Sequence, residues 1–518
     1  MVKVLFIIDF FKKRPAVLVF IATFLIYSPL LFNGYVADDS IIIEKNTFYH
    51  SWKNIPRALG EGSVFNFGNV HILNGSLSDL GTGKDSYRPI SNLTYFFDYY
   101  LFHAKPYGSH LINILIHGVN SVLVYWIVNQ IFSLPILGVF AGLLFSLHPI
   151  QSEAVTKMSI RADVLSAMFV LWSFYFWINF RQGEYSRKKY YCASLAMYFL
   201  AVFSKETAFI LPLIIFLFDR VLVSPHLGLR QRSLWYIGFV PIFIFFLFLY
   251  FIVFPSPLAT PNTFHWLGGS FLNHGLIMGY IWCSYLMNIL MPWTVKMIPV
   301  HYCPPVPGLV SLATAEIGIA IMFFITGICM LWRNCKECIF FMLWYMVFYL
   351  PISNLIPIAN PMAYHYMYLP SIGLLIVLSF FLQNIFKADP LKKYSQNLRN
   401  ILYVTIIIFC ATKTFFLNDD WKSDSDIGFA WIRDYPTDYE GYSLIGEQYF
   451  GIHDFKKAKE YFEKSVLWGD PIPYDILSLA RCYMRFGQFS AAESLLKQII
   501  LRYPIYNQQA QQILEKLK

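Results

Sequence analysis

The chain has 518 residues, of which 57% are hydrophobic and only 14% are charged. A soluble globular protein has about 45–50% apolar and about 25% charged residues. This composition therefore excludes an ordinary soluble protein and predicts an integral membrane protein. The net charge of +9 is not gathered into a basic cluster on a soluble fold, so we attribute it to cytoplasmic loops and expect no nucleic-acid partner.

Twelve apolar segments are long enough to be considered as membrane spans, which need roughly 20 residues each. Their centres lie near residues 24, 121, 142, 172, 197, 215, 244, 281, 320, 348, 374 and 408. The first follows a basic cluster that ends at Arg14. It is longer than the apolar region of a signal peptide and lacks a small-residue cleavage site, so we expect a first span.

Basic residues between the segments orient them, because positively charged loops stay in the cytoplasm. One loop assigned to the cytoplasm in this way contains Arg181, Arg187, Lys188 and Lys189. If every segment crosses the membrane, the loops alternate between its two sides in agreement with their charge through the seventh segment. After that segment, however, Arg333 and Lys336 would lie on the non-cytoplasmic side. The conflict disappears if segment 271–291, which Gly275 and Gly279 interrupt, is an interfacial or re-entrant helix. The sequence thus predicts an all-α protein of about eleven transmembrane helices, with its polar motifs and C-terminus on the non-cytoplasmic side.

The C-terminal region repeats with a period of 34 residues. The matching positions are Phe455 and Phe489, Ala458 and Ala492, and Phe462 and Leu496. A small residue and an aromatic residue at fixed offsets in this period are typical of tetratricopeptide repeats. We predict a transmembrane domain over residues 1–417 and a tetratricopeptide-like domain over residues 418–518. The alternative is an unrelated pair of helical hairpins.

Cys335 and Cys338 form a CxxC motif in a short loop between spans. A structural zinc site needs two more ligands close by, and the sequence offers none. No metal site is predicted, and a divalent metal requirement is unsupported.

The first polar motif is the acidic pair Asp38 and Asp39, directly after the first span. Two carboxylates at a membrane surface are costly to desolvate unless they are paired or used. The alternative is a solvated loop or a helix cap. Adjacent residues in an extended loop point in opposite directions, so we expect one carboxylate to face a cavity and the other to brace the loop.

Further ionisable residues follow at the ends of other apolar segments. They are Tyr87 and Arg88, His148 and Glu153, Arg161 and Asp163, Lys205 and Glu206, and His365. Arg88 either snorkels to lipid headgroups or binds a phosphate through two hydrogen bonds. A charge at the bilayer centre costs about 2.5–3.5 kcal/mol, so Lys205 and Glu206 should lie near the surface, pair, or line a cavity.

Together these motifs combine carboxylates, which can act as a general base, with cations that can hold a phosphate leaving group. A body of many spans can also grip a lipid tail, at about 0.8 kcal/mol per buried methylene. We expect Arg88, Arg161 and Lys205 to converge on one outward-facing cavity. The pattern favours an enzyme that acts on a lipid-linked phosphate.

The order of these motifs resembles a known family. The motifs are, in order, Asp-Asp after the first span, Tyr-Arg-Pro-Ile from Tyr87, His-Pro-Ile-Gln-Ser-Glu-Ala-Val from His148, Arg-Ala-Asp from Arg161, Ser-Lys-Glu-Thr around Lys205, and Asn-Pro-Met-Ala before Tyr-Leu-Pro-Ser. In these motifs the chain is similar to the transmembrane-and-tetratricopeptide O-mannosyltransferases that act on cadherins, and to their bacterial relatives. The resemblance covers nearly the whole chain. It implies a GT-C glycosyltransferase fold.

The resemblance also implies a function. Such enzymes take a sugar from a polyprenyl or dolichyl phosphate and transfer it with inversion, usually to a protein hydroxyl. Asp38 or Asp39 would be the base, and Arg88, Arg161 or Lys205 would face the phosphate. Relatives tend to have Glu-Arg where this chain has Tyr364 and His365, and a histidine replaces the arginine charge only when it is protonated.

The partners expected are therefore a lipid-linked sugar and an acceptor protein that the repeats recruit, with no certain cofactor. The short repeat array favours a bacterial inner membrane, or the endoplasmic reticulum membrane if the source is eukaryotic. Two other functions stay open. An assembly factor would need only one anchoring span, and a transporter would place its ionisable residues nearer the midplane, often with internal repeats.

Overall fold

The computed structural model describes residues 13–60, 87–183, 187–223, 234–253, 266–299, 312–355, 360–384, 395–468, 473–503 and 506–515. Within these ranges every regular element is a helix. The predicted all-α class is confirmed.

The α-helices of the described residues are numbered here in chain order. They are α1 (Pro15–Tyr27), α2 (Ile55–Gly60), α3 (Pro89–Phe102), α4 (Pro106–Phe132), α5 (Pro135–Leu147), α6 (Ser152–Thr156), α7 (Arg161–Gln182), α8 (Lys188–Ser204), α9 (Leu211–Val221), α10 (Phe239–Phe248), α11 (Phe271–Leu290), α12 (Leu312–Asn334), α13 (Lys336–Tyr349), α14 (Tyr368–Asn384), α15 (Ser395–Asp419), α16 (Asp424–Asp434), α17 (Tyr439–Gly451), α18 (Phe455–Trp468), α19 (Pro473–Arg485), α20 (Phe489–Arg502) and α21 (Asn507–Glu515).

The chain forms two compact units. Among the described residues, the first unit contains 13–32 and 38–418, and the second contains 33–37 and the residues from 419 onward. The first unit therefore carries every apolar helix of the predicted membrane part.

Six helical segments in the described ranges are long and apolar enough to cross a membrane. They are Pro15–Phe32, Pro106–Phe132, Met158–Gln182, Leu234–Val253, Tyr364–Asn384 and Gln396–Asp419. A seventh results if Pro135–Leu147 and Pro149–Thr156, which meet at a 50° bend, count as one span. The predicted count of eleven is not confirmed, because α8 (17 residues) and α9 (11 residues) are shorter than a full crossing.

A buried polar network holds the centre of the first unit together. The hydroxyl of Tyr368 donates to His117 Nδ1 (2.6 Å), and His117 Nε2 donates to the carbonyl oxygen of Ser146 (3.0 Å). The Asn120 amide donates to the Val164 carbonyl and to the Tyr368 hydroxyl, both at 2.9 Å. Polar groups in an apolar interior are costly unless paired, so this network fixes α4, α5, α7 and α14 relative to one another.

Close packing joins α13 to α14. Gly373 permits this approach, because a Cβ there would collide with the carbonyl oxygen of Phe341. The indole N–H of Trp344 also donates to the carbonyl oxygen of Leu369 at 3.0 Å. The start of α14, near the candidate site, is therefore held by a rigid neighbour.

Segment 271–291 forms the single helix α11, whose N-terminus is capped by the Ser270 hydroxyl accepting from Asn273 N–H (3.1 Å). Its length of 20 residues would suffice for a crossing, but it is not among the segments that are apolar enough. Its interfacial or re-entrant placement stays a prediction.

The second unit repeats its helices at a constant interval. Helices α17, α19 and α21 begin at Tyr439, Pro473 and Asn507, which are 34 residues apart, and α18 and α20 begin at Phe455 and Phe489, again 34 apart. The small and large residues of the sequence repeat are buried at the helix contacts: Ala458, Phe462, Ala492 and Leu496. The tetratricopeptide assignment itself stays a prediction.

Candidate functional site

The ionisable residues of the motifs lie at helix ends. Asp163 is in the first turn of α7, Lys205 follows α8, Arg88 precedes α3, and His365 lies in a 3₁₀ turn before α14. Helix ends leave backbone N–H and C=O groups without helical partners, so polar residues are favoured there. The fold connects these ends through a series of ion pairs.

Asp39 is buried and braces the chain. Its carboxylate accepts hydrogen bonds from the backbone N–H groups of Met158 (3.1 Å) and Ser159 (2.6 Å). Burial raises the pKa of Asp39 to about 6, although the hydrogen bonds from Ser159 and Met158 and the charge of Lys157 act in the opposite direction. Asp39 therefore holds the turn before α7 and is not open to a ligand.

Asp38 takes the opposite position. Its side chain is 37% exposed, and its Oδ2 lies 3.7 Å from the Nζ of Lys157. The two aspartates lie in a helical turn that leads into a π-helix at Ser40–Glu44, not in the expected extended loop. The two side chains nevertheless diverge, because successive residues on a helix are rotated by roughly 100° about its axis.

Glu153 and His365 form the next pair. His365 Nδ1 lies 3.0 Å from Glu153 Oε1, and the backbone N–H of His365 donates to Glu153 Oε2 at 3.2 Å. The imidazole thus lies directly beside a carboxylate. This pair joins α6 to the turn that precedes α14.

Two further ion pairs surround the side chain of Tyr366. Lys205 Nζ contacts Asp163 Oδ1 at 2.5 Å, and the Arg88 guanidinium binds both Glu206 oxygens, at 2.6 and 2.9 Å. The phenol of Tyr366 experiences the charges of Asp163, Arg88 and Glu206, and Lys205 Nζ lies 5.7 Å from its ring centre. The two pairs therefore belong to one site.

The electrostatics of this site favour charged side chains. Burial alone would raise the pKa of Glu206, but Arg88, assisted by Lys205, holds it at about 2. Each cation therefore has a carboxylate partner in the structure as it stands. An anionic ligand would have to compete with these carboxylates for Arg88 or Lys205.

A small cavity opens beside the Lys205–Asp163 pair. Its volume of about 20 Å³ corresponds to roughly one water molecule. Its polar lining includes Asp163, Lys205, Thr207 and Tyr366, and its apolar lining includes Phe348. A phosphate group at Lys205 therefore requires side chains around this cavity to move.

Arg161 has a structural role, because its guanidinium is fully buried and its N–H groups are used in hydrogen bonds within the protein. It binds both carboxylate oxygens of Asp98 (2.8 and 2.6 Å), the Asn113 side-chain oxygen (2.8 Å), the Thr94 hydroxyl (3.0 Å) and the Ser109 carbonyl (3.2 Å). The structure gives it the role of tying α3 and α4 to α7. Of the three cations expected to converge, Arg88 and Lys205 meet near Tyr366, and Arg161 lies in this separate buried pair.

Tyr87 and His148 also have local structural roles. The hydroxyl of Tyr87 donates to the carbonyl oxygen of Leu59 at 2.7 Å. His148 Nε2 donates to the carbonyl oxygen of Ile289 (3.1 Å), and its Nδ1 accepts from the N–H of Ile150 (3.2 Å). Through these contacts both residues position the chain around the site.

Three residues that lie in the site or contact a predicted site residue were not predicted from the sequence. Lys157 and Asp98 contact predicted residues, and Tyr366 lies among the ion pairs. Lys157 was detectable, because it follows Glu153 by four residues and would share its face of a helix. Asp98 and Tyr366 gave no comparable signal, since both lie in aromatic stretches where an interfacial position is the ordinary interpretation.

The arrangement has a specific chemical capacity. It offers one half-exposed carboxylate, Asp38, beside an ammonium, together with a partly exposed guanidinium at Arg88 and an ammonium at Lys205. A carboxylate can accept a proton, and the cations can stabilise a departing phosphate. These are the elements of a group transfer from a phosphate to a hydroxyl.

Comparison with known proteins agrees with this chemistry. Residues 90–251 match the family model described as dolichyl-phosphate-mannose-protein mannosyltransferase. The matched region contains Glu153, Arg161, Asp163, Lys205 and Glu206. It begins after Arg88 and ends before His365.

Several curated proteins are similar to this chain. Protein O-mannosyl-transferase F38B6.6 of Caenorhabditis elegans is 23% identical over 391 residues, which cover 72% of this chain and 52% of the relative. Protein O-mannosyl-transferase TMTC4 of Mus musculus is 37% identical over a region that covers 20% of this chain and 16% of the relative. Protein O-mannosyl-transferase TMTC3 of Homo sapiens is 43% identical over a region that covers 17% of this chain and 10% of the relative.

The chain thus spans about half the length of the nematode relative. The similarity over most of this chain, together with the family match, confirms the resemblance that the motifs indicated. This chain is a membrane protein that resembles the transmembrane-and-tetratricopeptide O-mannosyltransferases, and its residues 90–251 match a mannosyltransferase family model.

Proposed function

We propose that this protein is an inverting glycosyltransferase that moves a mannose-like hexose from a polyprenyl-phosphate donor to a protein hydroxyl on the non-cytoplasmic side of the membrane. The observation that carries the proposal is that Asp38, Lys205 and Arg88 each take part in an ion pair at the end of an apolar helix. The matches to mannosyltransferases supply the reaction class.

In the proposed reaction Asp38 is the general base. Its side chain is the most exposed of the site carboxylates, at 37%, compared with 26% for Glu206 and 10% for Asp163. It takes the proton of the acceptor hydroxyl while the acceptor oxygen attacks the anomeric carbon of the sugar. The bond from that carbon to the phosphate oxygen breaks, and the polyprenyl phosphate leaves with the electron pair.

Arg88 and Lys205 would stabilise the negative charge on the leaving phosphate. Both are held by carboxylates at present, and a phosphate offers a guanidinium the same bidentate geometry that Glu206 now provides. Donor binding is therefore proposed as an exchange, in which the phosphate replaces Glu206 at Arg88. The apolar helices around the site would hold the polyprenyl chain.

The test is sugar transfer from a labelled polyprenyl-phosphate mannose, measured in membranes that contain the full-length protein. Asp38→Asn keeps the size of the side chain but removes the base, so transfer should fall by about 10²–10⁴-fold. Glu44→Gln is the matched control, because Glu44 is an exposed carboxylate on the same segment, and it should leave transfer unchanged. Full activity in Asp38→Asn would remove this carboxylate from the mechanism.

A further inference from the structure

Lys157 occupies a turn whose backbone is fixed on both sides. It lies between α6 and a 3₁₀ turn at Met158–Ile160, and the next two N–H groups are held by the buried carboxylate of Asp39. The hydroxyl of Tyr95 donates to the carbonyl oxygen of Met158 at 3.0 Å. The Lys157 side chain therefore leaves the backbone from a position that is set before any substrate binds.

The ammonium of Lys157 lies among carboxylates. Its Nζ is 3.7 Å from Asp38 Oδ2, and its side chain is only 17% exposed. Burial alone would lower the pKa of Lys157, but the carboxylates of Asp38, Glu153 and Asp39 outweigh burial and raise it. The side chain is therefore charged at neutral pH and is drawn toward the one carboxylate of the three that is exposed to an acceptor.

The groups packed around the turn define the possible partners of this charge. The titratable and charged groups are Asp38, Asp39, Glu153, His365 beyond Glu153, and Tyr95 from α3. Asp39 is occupied by two backbone N–H groups, and Glu153 is occupied by His365. Among the described residues that surround the turn, Asp38 is thus the carboxylate that depends most on Lys157 for its orientation.

We propose that Lys157 is a positioning residue, whose ammonium holds the Asp38 carboxylate in the orientation required for proton abstraction. This inference rests on the proposed function. Lys157 touches neither reacting atom: it acts through Asp38, and it exchanges no proton during the step. Without it, Asp38 would sample several rotamers at the surface, and fewer of them would meet an acceptor hydroxyl in the geometry that transfer requires.

Kinetics of the full-length enzyme test the positioning role. Lys157→Met keeps the apolar stem but removes the charge, so kcat should fall by about tenfold while KM for the polyprenyl-phosphate mannose changes little. Lys157→Arg should recover most of kcat, because the charge returns. Lys45→Met is the control, since Lys45 is exposed on the segment that follows Asp38, and its kinetics should match the wild type. A rise in KM alone, or no recovery with arginine, would overturn the role.

A second measurement does not depend on sugar transfer. The rate at which an amine-specific acylating reagent modifies Lys157 can be followed by mass spectrometry at a series of pH values. In Asp38→Asn the half-reaction pH of Lys157 should fall, because the nearest carboxylate no longer favours the ammonium. Glu44→Gln should leave it unchanged.

The two measurements separate the two proposals. An unchanged Lys157 titration in Asp38→Asn would overturn the pairing inferred here. A wild-type protein that transfers no mannose while this titration shifts would instead overturn the proposed function, because the pair would exist without the reaction.

Discussion

At the scale of single residues, the acidic pair shows how neighbours in the sequence can have different tasks. Asp39 accepts two backbone N–H groups in the interior, whereas Asp38 is half exposed beside Lys157. The buried position makes Asp39 sensitive to pH. Burial raises its pKa from 3.8 to about 6, so the folded state holds its proton more tightly than the unfolded state.

This shift predicts how stability changes with pH. Between about pH 4 and pH 6 the Asp39 contribution should decline as the pH rises, and it should be constant above that range. The measurement is the difference between the thermal unfolding midpoints of the wild type and of Asp39→Asn in detergent. This difference should fall as the pH rises from about 4 to about 6, because the amide of the variant does not titrate. A flat difference would show that Asp39 is not buried as described.

Arg161 provides a second prediction at this scale. Arg161→Met would leave the carboxylate of Asp98 buried without its partner, and the loss of one member of a buried pair costs about 3–5 kcal/mol. The double variant Arg161→Met, Asp98→Leu should recover much of this loss, because an apolar pair replaces the ions. Unfolding in detergent measures both. Equal destabilisation of the single and double variants would contradict the pairing.

Arg88 offers the contrast to Arg161. Its side chain is 28% exposed and pairs with Glu206, whose chain neighbours Lys205 and Thr207 line the cavity. We expect Arg88→Met to reduce mannose transfer more than stability, whereas Arg161→Met should reduce stability first. The pair of variants thus separates a proposed phosphate contact from a structural ion pair.

At the scale of secondary-structure elements, the bend after α5 shapes the site. Pro135–Leu147 and Pro149–Thr156 meet at 50°, and His148 lies at the corner. Its Nδ1 caps the turn by accepting from Ile150, and its Nε2 reaches α11 through the carbonyl oxygen of Ile289. The bend directs α6, and with it Glu153, toward His365.

Replacing His148 tests this connection. His148→Phe leaves the buried N–H of Ile150 and the carbonyl of Ile289 without partners, and an unsatisfied group costs about 1–3 kcal/mol. His148→Asn should retain the cap, because asparagine is a good capping residue, but it is too short for Ile289. Unfolding midpoints should rank wild type, His148→Asn and then His148→Phe. Identical midpoints for all three would show that the corner does not depend on this side chain.

At the scale of the whole molecule, the charge pattern that oriented the chain needs one revision. Arg181 was counted among the cytoplasmic loop charges, but its Nε pairs with Asp219 at 2.8 Å, and both side chains are buried. The Asp219 carboxylate also accepts from Trp177 and Tyr236. Arg187, Lys188 and Lys189 remain as the charges of that loop, so its cytoplasmic orientation stays a prediction with less support.

The orientation is testable with reporter fusions. We expect a reporter that is active only on the non-cytoplasmic side to function after Lys518, and to fail when it is inserted beside Arg187. The predicted placement of the C-terminal region and of the Asp38 segment on the same side requires this result. A cytoplasmic C-terminus would reject the predicted topology and the side proposed for catalysis.

The sequence by itself determined the features that depend on local pattern. Hydropathy showed a membrane protein, the 34-residue period predicted the spacing at which α17, α19 and α21 begin, and the motifs indicated the mannosyltransferase resemblance. These follow from helix periodicity, burial and composition, each of which is legible within a few turns of chain.

Only the tertiary structure decided which charges meet. Arg88 and Glu206 are 118 residues apart, and Glu153 and His365 are 212 apart. The structure also assigned Arg161 to Asp98 and turned Asp39, but not Asp38, into the interior. A charge in an apolar environment needs a partner, but which partner it finds depends on how the helix ends pack together, and no local pattern carries that information.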